Sequence, residues 1–245
     1  MPTGLSAIGR RIYGIFSGLT FVAVTVPTIC LLTITPGQRN RRLIVQKAAA
    51  LIFFVTGVKP RVTGREHLPA EQCVVVANHA SYLDGIILTA VLPPRFTFVI
   101  KREMTRVPFA SFLLRRIGSE FVDRFDHQRS AIDARRIMAA ATADQSLAFF
   151  PEGTFRKEAG LRPFHSGAFA VARRGRLKLV PVVIRGSRHM LPAHRRLPTR
   201  STLEVIIRPS IDTARDGVST RELMETCRNS ILEVLHEPDS RHSPN

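Results

Sequence analysis

The stretch CVVVANHASYLDG, residues 73–85, decides the fold. Its first five residues, Cys73 to Ala77, are apolar and mostly β-branched, which predicts a short buried strand. The residues from about Ser81 to Leu92 have a helical pattern, and Pro93 and Pro94 end that helix. A buried strand that leads directly into a helix is typical of α/β proteins with a parallel sheet.

The rest of the chain continues this alternation. The expected fold is a single α/β domain over residues 59–236, with a central mixed, largely parallel sheet flanked by helices. An exposed loop is expected at 190–200, and residues 237–245 form a polar tail that is predicted to be frayed. Further strands are predicted at 96–100, 120–122, 146–150, 177–184 and 202–207, and helices at about 109–117, 128–143, 167–174 and 220–235.

Composition sets the first limits on function. The 245 residues include 36 Lys and Arg against 19 Asp and Glu, which gives a net charge of +17, and 44% of them are hydrophobic. This apolar content is enough for a sizeable core, and the positive charge attracts nucleic acid, anionic lipid or acidic proteins. Three scattered cysteines without a C-x-x-C spacing indicate neither a disulfide framework nor a zinc site, so intracellular chemistry is expected.

The positive charge is most one-sided before the first carboxylate, Glu66. Nine Lys and Arg residues precede it, and no acidic residue does. Within this segment, Ile12 to Ile34 carries no charge. At 1.5 Å per residue it is long enough to cross roughly 30 Å of hydrocarbon. Arginines flank the run on both sides, so they indicate no orientation in a membrane.

Two arrangements of this N-terminal segment stay open. Pro27 favours a kink or a break, and Leu43 to Val58 is a second apolar stretch. Residues 1–58 are therefore expected to form a membrane-associated helical segment, either as a true span or as a helical hairpin in one leaflet. The apolar run is longer than the roughly 7–15 residues of a signal-peptide core, which argues against a cleaved signal peptide. A buried core helix would leave the flanking cations without counter-charges.

Polar residues follow the first strand directly, at the end of a strand where α/β proteins tend to bind ligands. Ser81 and Asp84 have the spacing of a helix-capping pair, which explains Ser81 without catalysis. His79 has no such explanation. Asp84 can accept the Nδ1 proton of His79 and leave Nε2 basic, and such a pair can deprotonate a hydroxyl group.

A second candidate site is the stretch FFPEGTFRK, residues 149–157, which again leads from a strand into a loop. One interpretation is an ordinary Pro-Glu-Gly turn. In the other, Gly153 lets the backbone approach an anion closely, while Arg156 and Lys157 supply charge-assisted hydrogen bonds to a phosphate group.

Two weaker candidates complete the set. Lys101 begins the charged run Lys101 to Met104, and Arg124 ends the segment 118–124, where it could reach the same crevice. Exposed charges are usually only solvated. The sequence LVPVV, residues 179–183, places a proline in a buried strand and is interpreted as structural.

Together these four segments resemble the glycerolipid acyltransferase family, over roughly Val58 to Arg208. The family's N-H-x-S-x-x-D motif is matched by Asn78, His79, Ser81 and Asp84. Its F-P-E-G-T motif is matched by Phe150 to Thr154, and its V-P-V motif by Val180 to Val182; Lys101 and Phe121 to Arg124 resemble its basic segment. One position departs from the commoner pattern, because Phe155 stands where an arginine usually follows Gly-Thr.

The resemblance implies a mechanism and a set of site residues. His79 would be the general base on the acceptor hydroxyl, oriented by Asp84, with Asn78 and Ser81 supporting the motif. The freed oxygen would attack an acyl thioester without a covalent acyl-enzyme. Substrate binding, including that of the acceptor phosphate, would fall on Lys101, Arg124, Glu152, Gly153, Thr154 and Arg156.

The resemblance also implies substrates, partners and a location. The enzyme would acylate a lysophospholipid, in the first place lysophosphatidic acid to phosphatidic acid, with another lysolipid as the alternative because of Phe155. Acyl carrier protein or coenzyme A would carry the acyl group. No metal or cofactor is expected, and no nucleic acid. The expected location is a membrane phospholipid surface, at the cytoplasmic face of the inner membrane.

Rival classes have weaker support. The sequence contains no G-x-S-x-G, which a serine hydrolase would need. It also contains neither glycine-rich motif of nucleotide-binding enzymes and no H-E-x-x-H of zinc hydrolases. Charge alone would permit another class, a non-catalytic basic protein that binds anionic lipid or nucleic acid. An aromatic content of 7% without tryptophan provides few stacking platforms for single strands. Such a binder should tolerate the loss of His79.

Overall fold

The computed structural model of the chain describes residues 7–122, 137, 139, 145–215 and 217–242. Two long helices come first, followed by alternating strands and helices. The helices are α1 (Ala7–Ile34), α2 (Gln38–Val55), α3 (Asp84–Val91), α4 (Pro108–Arg116), α5 (Gly167–Gly175), α6 (Ser187–Met190) and α7 (Thr220–Leu235). The strands are β1 (Arg61–Thr63), β2 (Cys73–Ala77), β3 (Phe96–Lys101), β4 (Glu120–Val122), β5 (Ser146–Phe149), β6 (Lys178–Arg185) and β7 (Glu204–Ile207).

The seven strands form one sheet in the order β1-β7-β6-β2-β5-β3-β4. Strands β2 to β6 run parallel to one another, β7 is antiparallel to β6, and β1 is parallel to β7. Val75 lies at the centre, paired with Ala148 of β5 on one side and Val180 of β6 on the other. The prediction of a mixed, largely parallel sheet flanked by helices is confirmed.

The alternation of side chains along β2 divides the core into two layers. Val74 and Val76 face the layer that contains α5 and α7, whereas Val75 and Ala77 face the layer that contains α3 and the end of α2. All four side chains are fully buried. Because β2 is covered on both faces, it has a continuous apolar run instead of an alternating pattern.

The two N-terminal helices pack against each other, and α2 also packs against α3. Arg42 of α2 is buried and donates to the carbonyl of Ile117 at 2.8 Å and to Thr97 Oγ1 at 2.6 Å. Burial lowers the pKa of its guanidinium to about 10. Helix α2 is thus fastened to the edge of the sheet by hydrogen bonds as well as by apolar contacts.

Helix α1 differs from α2 in its exposure. Among the described residues it is the one helix long and apolar enough to cross a membrane, and only 22% of its most apolar window is buried. Pro27 lies inside α1 and does not break it, so the break that this proline favoured is absent. Its large apolar side chains are largely exposed, for example Ile12 at 62% and Leu19 at 66%.

The structure corrects several details of the predicted elements. Helix α3 begins at Asp84 and not near Ser81, because residues 80–83 form a turn around the Asp84 carboxylate. The three-residue strand β1 was not predicted. The predicted fraying of the tail is wrong for residues 237–241, which pack on the domain as described below. The predicted helix at 128–143 and Arg124 lie outside the described residues, apart from residues 137 and 139, which are helical.

Candidate active site

The predicted site residues gather at the carboxyl edge of the sheet. Strands β2, β5 and β6 are parallel neighbours, so the loops that follow them leave the sheet at the same edge. The loop after β2 carries His79, and the loop after β5 carries the segment 150–157. The sheet therefore brings the first two motifs together across one strand spacing, about 5 Å.

His79 and Asp84 form the pair expected from their spacing. Nδ1 of His79 lies 2.9 Å from Oδ2 of Asp84, which is fully buried, while the His79 side chain is 18% exposed. The same Oδ2 accepts the backbone N–H groups of Ala80 at 2.6 Å and Ser81 at 2.8 Å. Within the described part of the chain, Nε2 of His79 has no hydrogen-bond partner. The imidazole is oriented by a carboxylate, and its second nitrogen is available to a substrate.

Asn78 holds this loop against β6, and Ser81 holds it against the loop that follows α6. The Asn78 side chain donates to the carbonyl of Ile184 at 3.0 Å and accepts the Ile184 N–H at 2.7 Å, as a neighbouring strand would. Ser81 Oγ donates to the carbonyl of Leu191 at 2.7 Å and accepts the Leu83 N–H at 3.1 Å. The expected capping pair is half formed, because Asp84 accepts from Ser81 N–H while Ser81 Oγ bonds elsewhere.

Glu152 joins the two motifs. Its Oε1 accepts the backbone N–H of His79 at 2.6 Å, and its Oε2 accepts that of Arg162 at 2.9 Å. The side chain is 4% exposed, and burial, helped by the nearby Asp84 carboxylate, raises its pKa to about 7 against two opposing backbone hydrogen bonds. The structure gives Glu152 a bridging role, and its predicted contact with substrate stays a prediction.

Aromatic rings surround the imidazole. Phe150 stacks on His79 with ring centroids 4.4 Å apart, and Phe155 meets His79 edge-on at 4.7 Å. Tyr82 contacts Phe155 in turn, at 4.6 Å. Sequence reasoning assigned no role in the site to any of these rings. The one feature of the sequence that could have indicated them was Phe155, which stands where the family motif usually has an arginine.

The remaining members of the second motif have different environments. Gly153 has φ +82°, which favours glycine, and its backbone N–H closes a turn to the carbonyl of Phe150 at 3.1 Å. Thr154 is exposed, and its Oγ1 accepts from Arg162 Nη1 at 3.3 Å. The Arg156 side chain is exposed and follows this turn. The structure thus adds Arg162 as a cation beside the motif that sequence reasoning missed.

Lys101 is more distant from the histidine. It is the last residue of β3, which lies two strands from β2 with β5 between them. That separation is about 10 Å at the usual strand spacing. Lys101 shares the carboxyl edge with His79, but a ligand would have to extend across β5 to reach both.

The loop at 153–162 is held by Arg188, the second residue of α6. Its Nε and Nη2 donate to both carboxylate oxygens of Glu237 at 2.9 Å, and its Nη1 donates to the carbonyls of Arg156 and Glu158, also at 2.9 Å. Glu237 also accepts the Gly160 N–H at 2.8 Å. Arg188 therefore connects this loop to the end of the chain.

Residues 237–241, here called the C-terminal strap, continue that contact. The Leu161 N–H donates to the carbonyl of Pro238 at 2.9 Å, and the Ser240 N–H donates to the carbonyl of Leu161 at 3.1 Å. Arg228 of α7 is 1% exposed, pairs with Asp239 and donates to the carbonyl of Leu161 at 2.6 Å. The strap thus fixes the backbone just beyond the second motif.

An imidazole that is fixed by a carboxylate and flanked by basic loops defines a site that can activate a hydroxyl group beside an anion. Comparison with known proteins identifies the family. The chain belongs to the Acyltransferase family, whose model matches residues 59–185. The chain is therefore an acyltransferase, as predicted.

Two relatives and one solved structure illustrate the match. The 1-acyl-sn-glycerol-3-phosphate acyltransferase of Saccharomyces cerevisiae is 28% identical over 95% of this chain and 80% of its own length. A putative 1-acyl-sn-glycerol-3-phosphate acyltransferase of Caenorhabditis elegans is 32% identical over 74% of this chain and 66% of its own. The crystal structure of the 1-acyl-sn-glycerophosphate acyltransferase PlsC from Thermotoga maritima has the same fold, with a TM-score of 0.76 at 20% identity, over 91% of this chain and 95% of that one.

Proposed function

We propose that this enzyme transfers an acyl group from a thioester to the free hydroxyl of 1-acyl-glycerol-3-phosphate, which gives phosphatidic acid. The observation that carries the proposal is the His79–Asp84 pair, with Nδ1 of His79 2.9 Å from the Asp84 carboxylate and Nε2 directed to no other described group. Relatives named for this reaction match 74% to 95% of the chain.

His79 starts the reaction as general base. Its Nε2 takes the proton of the acceptor hydroxyl as the oxygen attacks the thioester carbonyl carbon. The Asp84 carboxylate stabilises the imidazolium that forms, as in other histidine–carboxylate pairs. When the carbon–sulfur bond breaks, the imidazolium returns the proton to the leaving thiolate. The products are an ester and a free thiol, and no covalent acyl-enzyme is required.

The acceptor phosphate would bind among the cations beside the second motif. Arg156 and Arg162 lie on the loop that contains Thr154, and Arg162 already donates to Thr154 Oγ1. Lys101 and Arg124 complete the proposed set, with Gly153 and Thr154 supplying backbone and hydroxyl contacts. Guanidinium groups suit this task because they bind phosphate oxygens in pairs. Phe155 in the place of a further cation favours a second candidate, an acceptor with a different headgroup.

The acyl donor would be acyl carrier protein or coenzyme A, and the reaction as written needs no metal or cofactor beyond that thioester. Both carriers are anionic, and the chain has a net charge of +17. Complementary charge would speed their encounter with the enzyme.

A membrane surface would supply the lysolipid. Exposed apolar side chains continue along α1 and α2, for example Ile15 at 53%, Val22 at 56% and Phe54 at 80%. Burying these groups in lipid would be favourable by about 25 cal/mol for each Å² removed from water. We place the enzyme at the cytoplasmic face of the inner membrane, where its substrates would meet.

The test is acyl transfer by the purified full chain in lipid micelles. Labelled lysophosphatidic acid and other lysolipids are each offered with both thioester donors, and His79→Ala is compared with His194→Ala, an exposed histidine outside the site. Removal of a general base should lower the rate on the order of 10²–10⁴-fold. Phosphatidic acid formation that is lost in His79→Ala and retained in His194→Ala supports the proposal. Transfer to a different lysolipid overturns the acceptor alone, and absence of all transfer overturns the reaction.

A further inference from the structure

A groove outside the active site collects arginines from two distant parts of the chain. One wall is the start of α1 and the other is the loop that follows α6. The groove is lined by Ala7, Arg10, Arg11, Arg195, Arg196 and Leu197. Two arginine pairs that are far apart in the sequence therefore face one space.

Close backbone packing holds the two walls together. Gly14 of α1 lies against the loop so tightly that an added Cβ would be 2.9 Å from Leu197 Cβ and 3.1 Å from the carbonyl oxygen of Pro198. The loop itself is closed by the Thr199 N–H, which donates to the carbonyl of Met190 at 2.8 Å. The convergence of the arginines thus follows from the fold and not from the reach of flexible side chains.

No carboxylate is among the described residues that line the groove. Its walls come from residues 7–14 and 191–199, and the sequence has no Asp or Glu at positions 1–65 or 159–203. Within the described part of the chain, Arg11, Arg195 and Arg196 make no ion pair with a carboxylate. Like charges brought together in this way repel each other unless an anion lies between them.

The surroundings of the groove indicate which anion it takes. Ile8, Ile12 and Ile15 follow one another on the exposed side of α1 at 71%, 62% and 53% exposure, and Leu197 on the opposite wall is 41% exposed. A cationic groove bordered by exposed apolar side chains matches a molecule whose phosphate and acyl chains are adjacent. A free phosphate would use the arginines and leave the apolar border unused.

We propose that this groove binds the phosphate headgroup of an anionic phospholipid at the membrane surface, with the apolar side chains of α1 in the adjoining acyl region. The inference rests on the membrane attachment proposed above and gives it a specific anchor. It also relates the anchor to the active site, because Ser81 Oγ donates to the carbonyl of Leu191 at the start of the same loop. Lipid bound in the groove would therefore set how the His79 crevice meets the membrane.

The test uses the purified full chain in neutral detergent micelles. Binding of phosphatidylglycerol is titrated by fluorescence, with phosphatidylcholine as the neutral lipid and free sn-glycerol 3-phosphate as the soluble phosphate. Arg195→Gln/Arg196→Gln is compared with Arg173→Gln/Arg174→Gln, an exposed pair of equal charge on α5. Arg10→Gln/Arg11→Gln removes the cations of the opposite wall. Circular dichroism checks the fold of each variant.

Each cation near an anionic lipid contributes roughly fivefold to binding. Substitution of either arginine pair of the groove should therefore weaken phosphatidylglycerol binding about 30-fold. The α5 pair should change binding by less than about twofold, because charges beyond a Debye length are screened. The proposal is overturned if all three double substitutions weaken binding equally, or if none of them does. It is also overturned if free sn-glycerol 3-phosphate competes for the groove as strongly as the lipid does. Binding is measured without acyl transfer, so failure of the proposed reaction and failure of this site are distinguishable.

Discussion

Oε1 of Glu152 accepts the backbone N–H of His79 at 2.6 Å, so the second motif is joined to the histidine by a direct hydrogen bond. Burial raises the pKa of Glu152 from 4.5 to about 7. A carboxyl group whose pKa rises on folding stabilises the protein below its unfolded pKa, and that contribution is lost as the pH rises through the folded pKa. The free energy of unfolding should therefore fall by on the order of 3 kcal/mol between the two pKa values.

Glu152→Gln tests this dependence. The amide cannot ionise, so the fall in stability should disappear. The NH₂ group of the glutamine would face one of the two backbone N–H groups, that of His79 or that of Arg162. This unmade hydrogen bond should lower the free energy of unfolding by about 1–3 kcal/mol at every pH. Chemical denaturation at about pH 5 and about pH 8 gives both quantities. Glu158→Gln changes an exposed carboxylate of the same loop and is the control. An unchanged pH dependence in Glu152→Gln would show that another group causes it.

Asp84→Asn should separate charge from geometry. Oδ2 of Asp84 accepts from His79, Ala80 and Ser81, whereas Oδ1 has no partner in the described part of the chain. An asparagine can place its oxygen at the Oδ2 position and its NH₂ group at the Oδ1 position, so the loop should stay folded. The imidazolium would lose its counter-charge, and kcat should fall on the order of 10²–10⁴-fold with little change in KM. Steady-state kinetics with varied acceptor measure both constants, and a wild-type kcat would exclude the proposed role of Asp84.

The elements that the sequence predicted well are those determined by local pattern. Strand β2, Cys73–Ala77, was predicted to the residue because it is apolar on both faces. Helix α7, Thr220–Leu235, was also predicted to the residue, and Ser219 caps it by accepting the Glu222 N–H at 3.0 Å. Strand β1 was missed because its three residues carry little pattern, and its pairing comes from β7, far along the chain.

The contacts of the site also divide into those that local sequence pattern predicted and those that it could not predict. His79 and Asp84 could be paired from the sequence because five positions separate them in one turn. The bridge from Glu152 to His79 and the contacts of Arg188 with Glu237 join residues many positions apart, and no local pattern indicates them. The tail was predicted to fray because it is polar, but two of its carboxylates have arginine partners on other elements.

Phe155→Ala should open the site to water. The ring covers His79 edge-on and rests on Tyr82, with centroid distances of 4.7 and 4.6 Å. Its loss should lower kcat/KM roughly 2- to 10-fold, the value of one or two aromatic contacts. Water would also reach the activated site, so more thiol should be released per ester formed. The ratio of the two products measures this leak. Phe155→Leu retains an apolar cover and should keep a ratio near that of the wild type; equal leakage in both variants, or in neither, contradicts the covering role.

Insertion of α1 can be measured by extraction with alkaline carbonate. The flanking arginines and the exposed apolar face of α1 predict that little protein is released from membranes. Leu19→Asp places a charge on that face, where the leucine is 66% exposed, and should increase release because a charge in hydrocarbon costs about 2.5–3.5 kcal/mol. Thr226→Asp, an exposed position on α7, is the control. Full release of the wild-type protein would show that α1 is not inserted.

Arg228→Ala should affect both stability and substrate binding, because Arg228 holds the strap against the active-site loop. The guanidinium is 1% exposed, pairs with Asp239 and donates to the carbonyls of Leu161 and Arg162. Its removal should lower the free energy of unfolding by about 3–5 kcal/mol, since a charge partner and two carbonyls lose their donor. The loop that carries Thr154 and Arg162 would then be less well positioned, and small misplacements of binding groups cost on the order of 10²-fold or less in rate.

The Arg228 prediction therefore needs two readouts. Denaturation gives the stability of Arg228→Ala, and kinetics at a temperature where the variant stays folded give its KM for the acceptor, which should rise more than kcat falls. Arg228→Lys keeps the charge and should recover part of the affinity, although a lysine cannot reach the two carbonyls and Asp239 at once. Arg221→Ala removes an exposed arginine of the same helix and should change neither quantity. An unstable Arg228→Ala with a wild-type KM would limit the strap to a structural role, because the loop would then be positioned without it.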